Sequence, residues 1–310
     1  MADTSPFASL GDLLADWSND VLNGKPPVRW SAGAGALARF PIGPGLLTLL
    51  GGPPATGKTA FANQLAFDAV RLTPTLKVLI TCCEMSPALL LDRQLSRLSG
   101  VPYSRIRNRC LDDADRPAVA TGLATLNEIR DRVAFHTGPF DLTAVAESAD
   151  GCEADLIVID YLQRLGAPGQ HRDKRGQTNA ILDTLREFAS AGLGLLVLSS
   201  VGRQPNKNGK STYDGLTLAS FKESGDIEYA ADDAFILAPP EGGWVTLKHV
   251  KARHTEMADI PLRCDLSRMR FDPADGSPPD AQQGELLDKA RKLFATAKPK
   301  GRAKPKGDAG

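Results

Sequence analysis

The chain has no cysteines spaced as metal ligands. Cys82, Cys83, Cys110, Cys152 and Cys264 form no CxxC pair and no Cys/His cluster, which argues against a zinc site. Their odd number and scatter fit reduced thiols in a cytoplasmic protein rather than a disulfide framework. No uncharged apolar run approaches the roughly 20 residues that cross a bilayer, so no membrane partner is expected. The opening MADTSPFASL lacks the basic-then-apolar order of a secretory signal. An excess of charge is missing too. The 37 Lys and Arg balance 37 Asp and Glu, so total charge does not announce a nucleic-acid partner.

What is present describes an ordinary globular chain. Its 310 residues, 42% hydrophobic and 24% charged, suffice for one large α/β domain or two small ones. Three segments stand out. Residues 1–43 hold an amphipathic helix and a linker, residues 44–273 a folded domain, and residues 274–310 a basic, largely disordered tail. In that tail Lys289, Arg291, Lys292, Lys298, Lys300, Arg302, Lys304 and Lys306 follow one another with no acid between them.

Phe7, Leu10, Leu14, Trp17, Val21 and Leu22 recur at helical spacing and predict one helix over 7–22. Ser5 and Pro6 read as its N-cap and first position. Such a stripe suits packing on its own domain or on a neighbouring subunit. Residues 23–45, rich in Gly, Pro and Ala, read as a linker. Beyond them, short apolar runs predict buried strands over 46–50, 77–82, 133–136, 156–159, 194–199, 234–238, 244–250 and 260–265. Helices are expected over 59–72, 86–98 and 178–189. Buried strands alternating with helices mean an α/β fold, a mostly parallel sheet with helices on both faces.

The clearest motif is GPPATGKT: Gly52, Pro53, Pro54, Ala55, Thr56, Gly57, Lys58 and Thr59, followed by Ala60. It matches G-x-x-x-x-G-K-[ST] and lies between a predicted strand and a predicted helix, as a P-loop must. The glycines let backbone N–H groups turn around a polyphosphate, and the helix N-terminus adds its positive dipole end. Lys58 reaches the β- and γ-phosphates in this reading, and the Thr59 hydroxyl ligates Mg²⁺. The second metal-side carboxylate is expected at Asp160, where the apolar run DLIVID ends. Asp155 opens that run and reads as a solvated start residue. Glu84 follows the strand over 77–82 and so reaches the same edge. Spacing leaves two roles open for it: polarising the attacking water, or stabilising a helix N-terminus.

Several blocks resemble the motor domain of the DnaB family of replicative helicases. They are CEMS (83–86), IDYLQRL (159–165), FKESGDIEYAADDAFIL (221–237) and KHVKARH (248–254), in family order. The resemblance implies a RecA-like ATPase that uses ATP and Mg²⁺ and moves on single-stranded DNA as a ring, a hexamer in that family. It implies that Glu84 is the catalytic base. It also implies that Lys251 and Arg253 act in trans, reaching the neighbour's ATP to neutralise charge on the transferred phosphoryl group. Lys222, Glu223 and Gly225 match a loop that grips the DNA backbone. Arg164, Arg172, Lys174 and Arg175, in the basic loop after Asp160, are expected to line the pore. Arg203, Lys207 and Lys210 form a second basic loop. Neither loop is rich in aromatics, so backbone charge tracking is expected rather than base stacking. The helix over 7–22 lies where the family places a linker helix that packs on the adjacent subunit. A replication loader is the further partner the resemblance allows.

Three departures stand out. The family's helical N-terminal domain, which recruits primase, has no room before Pro44. Of the segment before the P-loop only FPIG (40–43) remains. The family's SQLNR reads SSVGR, with Ser200 in place of a glutamine expected to sense the γ-phosphate. A rival reading therefore keeps the fold and changes the task, to a recombinase-like or loader-type ATPase that binds DNA without unwinding it.

Overall fold

The structure is a computed structural model, and it describes residues 7–167, 169, 173–202, 204–205, 211–213, 215–221 and 227–274. In chain order the elements are α1 (Leu10–Asn23), β1 (Leu47–Gly52), α2 (Lys58–Leu72), β2 (Val78–Cys82), α3 (Pro87–Ser99), α4 (Tyr103–Arg107), α5 (Arg116–Asn127), β3 (Val133–His136), α6 (Leu142–Gly151), β4 (Leu156–Asp160), α7 (Lys174–Ser190), β5 (Gly194–Ser200), β6 (Gln204–Pro205), β7 (Ser211–Thr212), α8 (Ile227–Ala230), β8 (Asp233–Leu237), β9 (Trp244–Ala252), β10 (Ile260–Asp265) and β11 (Arg270–Pro273).

Nine strands form one sheet in the order β11-β10-β9-β8-β1-β5-β4-β2-β3. The six from β8 to β3 run parallel, and β9, β10 and β11 continue the sheet antiparallel. Successive side chains of a strand point to opposite faces, and both faces of this sheet are covered. Leu50, Val158, Leu196 and Phe235 face one core with Phe61, Leu65 and Phe67 of α2. Leu49, Ile157, Leu195 and Ile236 face the other, with Val145 of α6 and Leu182 and Leu185 of α7. The central strands β1, β2, β4, β5 and β8 are mostly apolar because neither face meets water, whereas β9, β10 and β11 are partly exposed and carry charged residues.

The expected strands are all present, and the expected mostly parallel sheet with helices on both faces is found. The differences lie outside the sheet's centre. The stretch read as a linker packs from Trp30 onward: Trp30, Ala32, Leu37, Phe40 and Ile42 are buried in the α2-side core. Trp30 covers the start of β5, where a Cβ on Gly194 would lie 2.5 Å from its ring. Helix α1 starts at Leu10, not at Pro6. Ser9 is the N-cap, because its side chain accepts from the Asp12 amide while Asp12 accepts from the Ser9 amide. No residue of α1 is buried, and Leu10, Leu13, Leu14, Trp17, Val21 and Leu22 are all exposed. The basic tail lies outside the described residues.

Candidate active site

Parallel strands deliver their C-terminal ends to one edge of a sheet. Here Gly52 of β1 pairs with Ser200 of β5, and Asp160 of β4 pairs with Cys82 of β2. The turn over 53–57, the Asp160 carboxylate and the residues after Cys82 therefore share that edge. They line a cleft of about 880 Å³, together with Lys58, Thr59, Glu84, Arg164, Ser199 and Ser200.

The turn's shape demands its glycines. Gly57 is the N-cap of α2 in the left-handed region, with φ 90°, and an added Cβ would meet the Phe271 ring at 2.8 Å. Ala55 also has positive φ, at 62°. Thr56 Oγ1 donates to the Pro53 carbonyl at 2.9 Å and fixes the bend. The Lys58 ammonium donates to the carbonyls of Gly52 (2.7 Å) and Pro53 (2.8 Å), so it curls over its own turn. Burial lowers its pKa, and the charges of Asp160 and Glu84 oppose that shift.

Asp160 is buried at the end of β4. Burial raises its carboxyl, against hydrogen bonds from Thr59 and Cys82. The Thr59 hydroxyl and the Asp160 carboxylate are thus neighbours in the cleft. Two hard oxygen donors on one spot, beside a phosphate turn, fit Mg²⁺. Glu84 is exposed and lines the same cleft, in electrostatic reach of Lys58 and Asp160.

The other end of the sheet carries the remaining cations. Strand β9 is antiparallel to β8, and its last residue, Ala252, pairs with Asp233 at the start of β8. Asp233 pairs with Thr48, so Arg253 lies at the edge opposite its own phosphate turn. At about 3.3 Å per residue the strand between Thr48 and Gly52 alone spans ~13 Å. Arg253 donates to Asp232 Oδ1 (2.8 Å) and to the Tyr229 carbonyl (2.8 Å). Asp232 is buried and also accepts from Arg186 (2.6 Å) and the Leu47 amide (2.9 Å). Burial acts to raise its carboxyl, but those bonds and the charges of Arg186 and Arg253 hold it below the ordinary value. Lys251, on the same strand, has its pKa lowered by burial and by Arg253.

Of the expected DNA contacts, Arg172, Lys222, Glu223 and Gly225 lie outside the described residues, as do Arg203, Lys207 and Lys210. Lys174 and Arg175 open α7, and Arg175 is exposed. Arg164 lines the cleft beside Lys58 and Glu84.

Two residues escaped the sequence reading. Arg93 of α3 also lines the cleft, and its Nε is buried without a partner among the described residues. Its signal was its place nine positions after Glu84, on the helix that Glu84 introduces. Gln163 joins the turn after β4 to the end of β5: its Nε2 donates to Ser199 Oγ (2.9 Å) and its Oε1 accepts from the Ser200 amide (3.4 Å).

Among the described residues no helix is long and apolar enough to cross a membrane, and no group of three or more His, Cys, Asp or Glu is placed to hold a metal.

The model of the DnaB-like helicase C-terminal domain matches residues 42–272. The chain is 26% identical over 195 residues to the replicative DNA helicase DnaB of Buchnera aphidicola subsp. Schizaphis graminum, covering 61% of this chain and 41% of that protein. It is 27% identical over 202 residues to replicative DNA helicase DnaB of Nostoc sp., covering 62% of this chain and 22% of that one. It thus spans less than half the length of these curated relatives. Among solved structures it resembles an ATPase domain with TM-score 0.74 and 17% identity, over 87% of this chain and 100% of that one. It also resembles a DnaB-like replicative helicase solved for its interactions with primase, with TM-score 0.72 and 17% identity over 89% and 69% of the two chains. The RecA-like fold expected from the sequence is therefore the fold found, and the chain belongs to the DnaB-like helicase C-terminal domain family.

Proposed function

We propose that this chain hydrolyses ATP at the interfaces of a ring, a hexamer by family resemblance, and uses the energy to move along and unwind DNA. One observation carries the reading. Lys58, Thr59, Glu84 and Asp160 meet in one cleft at one edge of the sheet, while Arg253 sits at the opposite edge. Arg253 cannot serve its own phosphates, but a second copy can receive it.

The steps follow from the residues. Backbone N–H groups of 52–59 and the start of α2 hold the phosphates. Lys58 exchanges its two carbonyl partners for phosphate oxygens. Thr59 and Asp160 would hold a magnesium ion, which neutralises phosphate charge when bound. Glu84 orients a water and takes its proton. Lys251 and Arg253 of the adjacent copy neutralise charge growing on the transferred group.

Helix α1 supplies the assembly contact. Its bare apolar stripe needs a groove, and α3, α4 and α5 form one of about 590 Å³ lined by Leu91, Leu95, Ile106, Leu123 and Leu126. Arg109 and Arg130 border that groove, and Asp12, Asp16 and Asp20 form an acidic row along α1. The apolar lining suits the apolar stripe of α1 from one copy in the groove of the next, although Arg109 and Arg130 are each already paired with an aspartate of their own chain.

Lys222, Glu223 and Gly225, with Arg172, Lys174 and Arg175, track the single-stranded DNA backbone in this reading. A replication loader and a cytoplasmic location complete it. The rival, a DNA-stimulated ATPase that does not unwind, rests on Ser200. Gln163 weighs against it, because it places an amide on the Ser200 backbone that the serine side chain itself lacks.

A forked-duplex assay decides. Wild-type protein with ATP and Mg²⁺ displaces the strand, and Lys58→Ala loses both turnover and displacement. Stimulated hydrolysis without displacement supports the rival, and unchanged turnover in Lys58→Ala removes the phosphate site.

A further inference from the structure

Arg164 stands on the short turn Leu162–Arg164, directly after β4. Leu162 is fully buried, and the Arg164 amide donates to the Tyr161 carbonyl at 3.1 Å, so the turn is anchored. Arg164 Nε donates to the Tyr161 hydroxyl at 3.1 Å, and Tyr161 itself packs against the core. This aims the guanidinium without consuming it. A guanidinium has five N–H donors, and the fork of its Nη groups matches phosphate oxygens.

Its surroundings are those of the nucleotide. Arg164 lines the cleft with Lys58, Glu84 and Asp160. Among the described residues no carboxylate lies within ion-pair distance of it. After the Tyr161 hydrogen bond, Glu84 and Cys83 supply the further favourable electrostatic contacts, and both line the cleft.

We propose that Arg164 is a catalytic cation supplied by each chain to the γ-phosphate of its own ATP, and not a contact for DNA. The inference rests on the ATPase reading. In that reaction the water oxygen bonds to the γ-phosphorus, and the bond from that phosphorus to the bridging oxygen of ADP breaks. The electron pair leaves with ADP, and the water's proton passes to Glu84. Glu84 loses its charge in that step. Arg164 then loses its nearby acid as the phosphoryl oxygens need a partner, and its guanidinium turns to them. The neighbour's Arg253 and the chain's own Arg164 would flank the transferred group.

The test compares full-length wild-type protein with R164Q, R164K and R164G. Arg164 is exposed, so these variants keep their fold. At saturating single-stranded DNA, R164Q should lower kcat about tenfold or more with a smaller change in KM. R164K should recover part of it, and millimolar guanidinium ion should partly rescue R164G. The salt dependence of DNA binding without nucleotide should match the wild type. The proposal is overturned if R164Q keeps the wild-type kcat, or if its salt slope falls by about one charge while turnover is retained. The wild type separates this from the reading beneath it. Hydrolysis by wild type and R164Q alike removes Arg164 only, whereas no hydrolysis by wild type removes both.

Discussion

At the scale of single residues, the cleft mixes groups the sequence announces with groups only folding brings in. The phosphate turn was legible because G-x-x-x-x-G-K-[ST] fixes backbone shape: Gly57 is required by its φ of 90° and by the Phe271 ring behind it. Asp160 was legible because an apolar run can end on a carboxylate only at a sheet edge. Arg93 and Gln163 were not legible, since a helical arginine and a loop glutamine look like solvated residues until α3 and β5 close over them. Arg164 read as a member of a basic loop, yet lies against Glu84's cleft. The cysteines allow a chemical test of this geometry. Burial, with the Asp160 charge adding to it, pushes the thiols up to about 12 at Cys82 and about 11 at Cys83. A raised thiol holds its proton through neutral pH, so reactivity appears only as pH climbs toward those values. Alkylation followed by mass spectrometry at pH 8 should modify exposed Cys110 well before Cys83, and the Cys83 rate should rise steeply above that pH. Equal rates for Cys83 and Cys110 at pH 8 would contradict the buried surroundings of the cleft.

At the scale of elements, the sheet was legible and much of its cladding was not. Strands buried on both faces are apolar along most of their length, with polar residues only at their C-terminal ends, which leaves little ambiguity over 156–160 or 194–200. Helix α5 buries only Val119 and Gly122, and β11 buries only Phe271, so neither carries a pattern strong enough to read. The segment over 30–42 misled because Gly, Pro and Ala look like a linker, while Trp30, Leu37, Phe40 and Ile42 do the packing. Helix α1 was readable as a helix, but its partner was not, since none of its residues is buried among the described residues. That makes α1 separable. Trp17→Glu should leave thermal stability within about 0.5 kcal/mol of wild type, as for other exposed sites. It should nevertheless abolish the large particle formed with ATP and Mg²⁺, as read by light scattering. A full-sized particle in that variant would mean that α1 is not the assembly contact.

At the scale of the whole molecule, the sheet separates two half-sites. One edge carries Lys58, Thr59, Glu84 and Asp160; the other carries Arg253, braced by Asp232 and Arg186. In the lone chain the bond from Arg253 to Asp232 keeps the cation ordered at the surface, and Arg186 leaves Asp232 paired when Arg253 engages a neighbour. On the proposed reading, catalysis belongs to the interface between copies. The direct measurement uses two variants that should each be inactive, Lys58→Ala and Arg253→Ala, mixed in equal amounts with ATP, Mg²⁺ and single-stranded DNA. Random assortment around a ring gives about a quarter of interfaces an intact Lys58 facing an intact Arg253. The account predicts that the mixture regains turnover that neither variant has alone. A mixture that stays as inactive as its two components, in particles of wild-type mass, would contradict it.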